Sequence, residues 1–139
     1  MFLNQFNEEE NSALIPHLEE VRLALRENLY SPGERAQGIF FLQSGRLGVQ
    51  TATGFEDKQQ VIALLDPGAV VGEKGLTGPT PRGMTVFALQ ESVLVFLSTK
   101  ALAILENEEP RLAIKILKKA LSSSSMRLQA NSERLAHVL

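Results

Sequence analysis

A chain of 139 residues, 44% hydrophobic and 22% charged, fits one domain with a core of its own, and its mean hydropathy near zero excludes a disordered tail or a membrane protein. With no cysteine and only two distant histidines, His17 and His137, it has no disulfide, no thiolate zinc site, no cysteine nucleophile and no multi-histidine metal site. A net charge of −2 gives no global attraction to nucleic acid, no apolar run approaches the roughly 20 residues of a membrane span, and the start lacks a signal-peptide pattern, so the expected location is the cytoplasm.

In chain order, Asn7 followed by Glu10, with Leu14 and Ile15 beyond, predicts a short capped helix from about residue 8 that Pro16 limits. The period then changes. From about Leu18 to Leu97 short apolar stretches recur at 21–25, 39–42, 47–51, 61–65, 70–71, 85–89 and 93–97. Turn signals separate them at Ser31-Pro32-Gly33-Glu34, Ser44-Gly45, Thr53-Gly54, Asp66-Pro67-Gly68 and Gly78-Pro79. A Pro-Gly pair between apolar runs is a turn with a mechanism, because Pro presets φ at one central position and Gly supplies positive φ at the next. Such closely spaced short strands predict an antiparallel sandwich or barrel.

Ser98 is a plausible N-cap for a helix through Ala101, Leu102 and Leu105, and Pro110 suits the first turn of a second helix. That last helix carries a 4-3 spacing through Ile114, Leu117, Leu121, Ser124, Leu128, Asn131, Leu135 and Val138. Such a seam asks for a partner, and a lone Asn at an a position favours two strands in register, so a homodimer through the C-terminal helix is expected. The competing expectation is that this face packs on the chain's own β-domain. Ser122 to Ser125 are expected to be a tolerated polar face, with a ligand-facing or hinge role as the alternative. The basic residues Arg111, Lys115, Lys118, Lys119, Arg127 and Arg134 are expected to face solvent, without specific DNA binding.

The segment from Pro67 to Thr85 is the most informative in the chain. It combines Gly72 and Gly75, one carboxylate at Glu73, and Arg82 ten residues after Gly72. Backbone N–H groups near a short helix start make an anion site, and a guanidinium fork binds two phosphate oxygens at once. A carboxylate in the same pocket suits a sugar hydroxyl, so the set reads as a site for a phosphate-bearing ribose. An alternative stands beside it, in which the glycines end strands and Glu73 pairs with Arg82 as a partly buried bridge across a bend.

Residues 29–34, 39–45 with Val49, 64–68, Val71-Gly72-Glu73, Pro81-Arg82 and the helices from Ser98 onward together resemble the cyclic-nucleotide-binding domains of catabolite-activator-type regulators, kinase regulatory subunits and gated channels. The resemblance implies a mainly β fold over the whole of residues 1–139. It is an eight-stranded antiparallel β-roll (a jelly-roll-like double-stranded β-helix) over 18–98, with a short N-terminal helix and a long C-terminal helix within 99–139. It further implies a ligand site of Gly72, Glu73, Lys74, Gly75, Leu76, Arg82, Gly83 and Met84. Glu73 would accept the ribose 2′-hydroxyl, Arg82 would clamp the cyclic phosphate of cAMP or cGMP, and Gly72 with the 74–76 backbone would form the cradle. The family usually has Ser or Thr, then Ala, after the arginine, where this chain has Gly83 and Met84. Lys74 replaces a common apolar residue, and Ser122 to Ser125 and Arg127 have no clear match in the final helix.

The function expected on this basis is a non-catalytic sensor module without cofactor or metal, signalling through its C-terminal helix to an effector protein that the sequence does not name. The alternative is a degenerate, non-binding dimerisation domain related to those fused to sulfate-permease-type transporters. A cupin-like enzyme would need clustered histidines that the chain lacks. Because the sequence ends at Leu139 with no helix-turn-helix after the long helix, a transcription factor in its own right is not expected.

Overall fold

A computed structural model describes residues 2–52, 58–77 and 81–138; the turns expected at Thr53-Gly54 and Gly78-Pro79 lie outside them. The first predicted helix is α1 (Glu8–Leu14), closed by the reciprocal bonds of a capping box: Glu10 N donates to Asn7 Oδ1 and Asn7 N to Glu10 Oε1. Eight strands follow among the described residues: β1 (Leu18–Leu23), β2 (Asn28–Tyr30), β3 (Gly38–Ser44), β4 (Leu47–Ala52), β5 (Gln59–Leu65), β6 (Val70–Val71), β7 (Thr85–Ala88) and β8 (Ser92–Ser98). They form two four-stranded antiparallel sheets, ordered β1-β8-β3-β6 and β2-β7-β4-β5. This is the expected β-roll.

The apolar run Ile39-Phe40-Phe41-Leu42 in β3 is continuous because both faces of its strand are covered. Ile39 and Phe41 point to a core shared with Leu14 and the C-terminal helices, while Phe40 and Leu42 point into the roll with Leu47, Val71 and Val86. Residues of β8 divide the same way, Val95 and Leu97 outward and Leu94 inward. The two cores meet across one sheet.

Two strand expectations need correction. The first strand ends at Leu23 rather than residue 25, because Glu27 Oε1 accepts the Ala24 N–H and Arg26 adopts φ 70°, turning the chain and leaving Leu25 exposed. Asn28–Tyr30 was missing from the expected strands; it is too short for a period to show, and it exists because it pairs with β7.

After Ser98, whose Oγ caps the Ala101 N–H, come α2 (Thr99–Glu108) and α3 (Pro110–Val138). The helix α3 buries Leu112, Ala113, Ile116 and Ala120 against the roll, whereas Ile114, Leu121, Leu128, Leu135 and Val138 of the 4-3 seam are all more than half exposed. Leu117 of the seam packs against the core and Asn131 lines a cavity of the roll, while the five exposed apolar residues are left without cover from the chain's own β-domain. Among the described residues, no helix is long and apolar enough to cross a membrane.

Candidate ligand-binding site

The site begins where β6 ends. Gly72 sits at φ 77°, left-handed, and turns the chain into a 3-10 helix, Glu73–Leu76. A side chain there would also meet Arg82, since an ideal Cβ would lie 2.7 Å from Nη1. Gly75 is required for a different reason: a Cβ would collide with the Gly38 backbone, and its carbonyl accepts a 2.6 Å bond from Thr99 Oγ1. The 3-10 helix is thereby fixed between β3 and the start of α2.

Arg82 is held from its own backbone outward. Its N–H donates to Glu34 O at 2.7 Å and its carbonyl accepts from Gly33 N at 2.9 Å, so the Pro32-Gly33 turn read from the sequence is what positions it. The side chain is only 6% exposed. Nη1 donates to Gly72 O at 3.0 Å and Nη2 to Gly38 O at 3.1 Å, and the guanidinium lies 4.3 Å from the centre of the Tyr30 ring. Burial pushes the Arg82 pKa down from its ordinary value, against the pull of Tyr30, Glu73 and Glu34. Burial likewise pushes the Tyr30 hydroxyl up, with Arg82 opposing. Among the described residues no carboxylate forms an ion pair with Arg82.

The bridge between Glu73 and Arg82 that the sequence allowed is absent. Glu73 Oε1 lies 2.8 Å from Arg127 Nη1 on α3 instead, in contact but without the alignment of a hydrogen bond. Arg127 Nη2 donates to Val70 O at 2.6 Å, and Ser123 Oγ accepts the Val70 N–H at 3.0 Å. The serine run is therefore more than a tolerated polar face, and Arg127, without a match in the sequence, is the group from α3 that reaches the site. Arg134 also donates to Ile62 O at 3.1 Å and Lys115 pairs with Glu10 at 3.0 Å, so these basic groups make contacts within the fold while staying open to solvent as expected.

Tyr30, Glu73, Lys74, Arg82, Met84 and Arg127 line a cavity of about 190 Å³, with Gly72 and Gly83 in its wall. Six of the eight expected site residues come together here. Gly75 and Leu76 do not line it: Gly75 packs on Gly38, and Leu76 packs against the helix-side core.

A family model described as the cyclic nucleotide-binding domain matches residues 20–108. The chain belongs to that family. Among solved structures, a cyclic nucleotide-binding domain from Methylobacillus flagellatus superposes with a TM-score of 0.87 at 22% identity, over 96% of this chain and 75% of that one. The c-di-GMP responsive global regulator CLP of Xanthomonas campestris gives 0.82 at 20% identity, over 94% and 63%. The catabolite activator protein of Thermus thermophilus gives 0.73 at 19% identity, over 94% and 61%. These likenesses establish the fold. No curated protein matches the chain.

The polar residues of the wall that sequence reasoning missed are Tyr30, Arg127 and Asn131, the last expected only in the 4-3 seam. Tyr30 stood in the 29–34 block of the family resemblance, beside the Ser31–Glu34 turn, without a role of its own. A signal for Arg127 did exist: Leu112, Ile116, Ala120, Ser123 and Arg127 follow one another at helical spacing, so Arg127 continues the buried face of α3.

Proposed function

We propose that this cyclic nucleotide-binding domain is a non-catalytic sensor module that binds cAMP, cGMP or a related phosphate-bearing ligand in the cavity and reports occupancy through α3. The observation that carries this reading is Arg82, a buried cation with two carbonyl bonds and an aromatic ring but, among the described residues, no carboxylate partner. Burying an unpaired charge is costly, and a guanidinium carries more N–H groups than these two bonds consume. An anionic phosphate supplies both the missing charge and two further acceptors. Glu73 in the same cavity repels a phosphate and suits a sugar hydroxyl.

Glu73 is also the residue that Arg127 holds. A ligand hydroxyl that takes the carboxylate competes with α3 for it, which couples the cavity to the helix. The cavity is smaller than the roughly 300 Å³ at which small-molecule pockets begin, so a whole nucleotide also requires Met84 or the Arg127 side of the wall to give way. The exposed 4-3 seam on α3 supports a homodimer as the form through which an effector protein is addressed, with no specific binding of DNA.

Calorimetric titration of cAMP and cGMP tests the reading. Binding to the wild type is expected, with Arg82→Ala costing about 1.5–3 kcal/mol and Glu73→Gln less. If neither nucleotide binds the wild type or Met84→Ala at millimolar concentration, the sensor reading fails and a non-binding dimerisation domain replaces it.

A further inference from the structure

Gly83 has no side chain, and a cation from a neighbouring element stands close to it. An ideal Cβ at Gly83 would lie 3.5 Å from Lys74 Nζ, so the ammonium stands in van der Waals reach of position 83, directly after the phosphate-anchor candidate Arg82. Lys74 and Gly83 both line the cavity. No ion pair involves Lys74 among the described residues. The cavity wall thus carries three cationic side chains, Lys74, Arg82 and Arg127, and one carboxylate, Glu73. Glu34, which also acts on Arg82, does not line it and accepts the Ser31 N–H instead.

Charge balance then discriminates among phosphates. A cyclic phosphodiester brings one negative charge and leaves the wall cationic. A phosphomonoester near neutral pH brings almost two, because its second proton leaves at a pKa of about 6. Arg82 offers a fixed fork for two oxygens, and a compact, mobile ammonium lining the same cavity suits the third.

We propose that Lys74 is a specificity-determining residue of this cavity, acting as a second anion anchor beside Arg82 and making the site prefer a ribonucleoside phosphomonoester to a cyclic phosphodiester. The inference rests on the phosphate-site reading above and adds the charge class of the ligand. Because Lys74 is exposed to solvent on one side, the expected preference is modest, roughly fivefold.

The test is titration of 3′-AMP, 5′-AMP and 3′,5′-cyclic AMP into the full chain as wild type, Lys74→Met and Lys74→Arg. At least one monoester should bind the wild type about fivefold tighter than the cyclic ester; Lys74→Met should abolish that ratio and Lys74→Arg keep most of it. Lowering the pH from 7.5 to 5.5 should shrink the wild-type ratio, since the monoester loses its second charge while the cyclic ester keeps its one; the titratable groups that line the cavity are Tyr30, Glu73, Lys74, Arg82 and Arg127, with Glu34 near Arg82, and no histidine among them. If the cyclic ester binds at least as tightly as both monoesters, or if Lys74→Met leaves the ratio unchanged, the inference is overturned and the sensor reading stands. If no adenosine ester binds, the inference is overturned, and the titration of cGMP and of Met84→Ala decides the sensor reading separately.

Discussion

The two halves of α3 face the same roll with different chemistry. Up to Ala120 the inward stripe is Leu112, Ile116 and Ala120, all buried; beyond it Ser123, Arg127 and Arg134 make polar contacts with Val70, Glu73 and Ile62 of the roll. Apolar contact is lost only by exposing surface to water. Polar contact can be exchanged for water or for a ligand at little net cost. One continuous helix is therefore fastened at its start and releasable toward its end, and the releasable half is the one that borders the cavity.

The largest effect should separate the fastened half from the exposed seam. Ile116→Ala, at a fully buried position, is expected to cost about 2–5 kcal/mol of folding stability in urea unfolding. Leu128→Ala, at a residue 68% exposed, should change monomer stability by no more than about 0.5 kcal/mol and show itself in light scattering as weakened association. Comparable unfolding costs for the two would remove the division of α3.

A smaller effect belongs to the releasable half. Ser123→Ala removes the acceptor of the Val70 N–H and should cost about 1 kcal/mol. Hydrogen exchange at Val70 should then rise about fivefold with the roll otherwise protected, because that bond is part of what holds α3 to β6. Unchanged protection at Val70 would mean that the apolar half alone fixes the helix.

This division marks where the sequence was readable. Runs such as Ile39 to Leu42 and Val93 to Leu97 declared their strands because burial on either face leaves a hydrophobic record, and Asn7, Ser98 and Pro110 declared helix starts because caps act within a few residues. Within the site, Gly72, Glu73 and Arg82 were legible as a local segment. Long-range partners left no such record: that Arg82 would bond Gly38 O and stack on Tyr30, and that Glu73 would be held by Arg127, depends on how β3, β2 and α3 meet in space. The Glu73–Arg82 pairing failed for the same reason, since proximity in sequence overrated the nearer of two arginines.

The smallest expected effect sharpens the comparison at the fastened end, where one polar contact supplements the apolar ones. Lys115 Nζ lies 3.0 Å from Glu10 Oε1, tying α3 to α1. The bond from the Asn7 backbone, then Lys115, holds the Glu10 carboxyl below its ordinary pKa. A carboxyl depressed in the folded state releases its proton more readily there than in the unfolded chain, so its contribution to stability is present above the unfolded value and is lost as pH falls through the folded one. The difference in unfolding free energy between wild type and Glu10→Gln should therefore be widest near neutrality and close from about pH 5 downward. It should also narrow in high salt, because both side chains are partly open to solvent. A gap that stays constant from pH 7 to pH 3 would mean that the capping geometry, indifferent to charge, carries the whole contribution of Glu10, and that the first half of α3 is fastened by apolar contact alone.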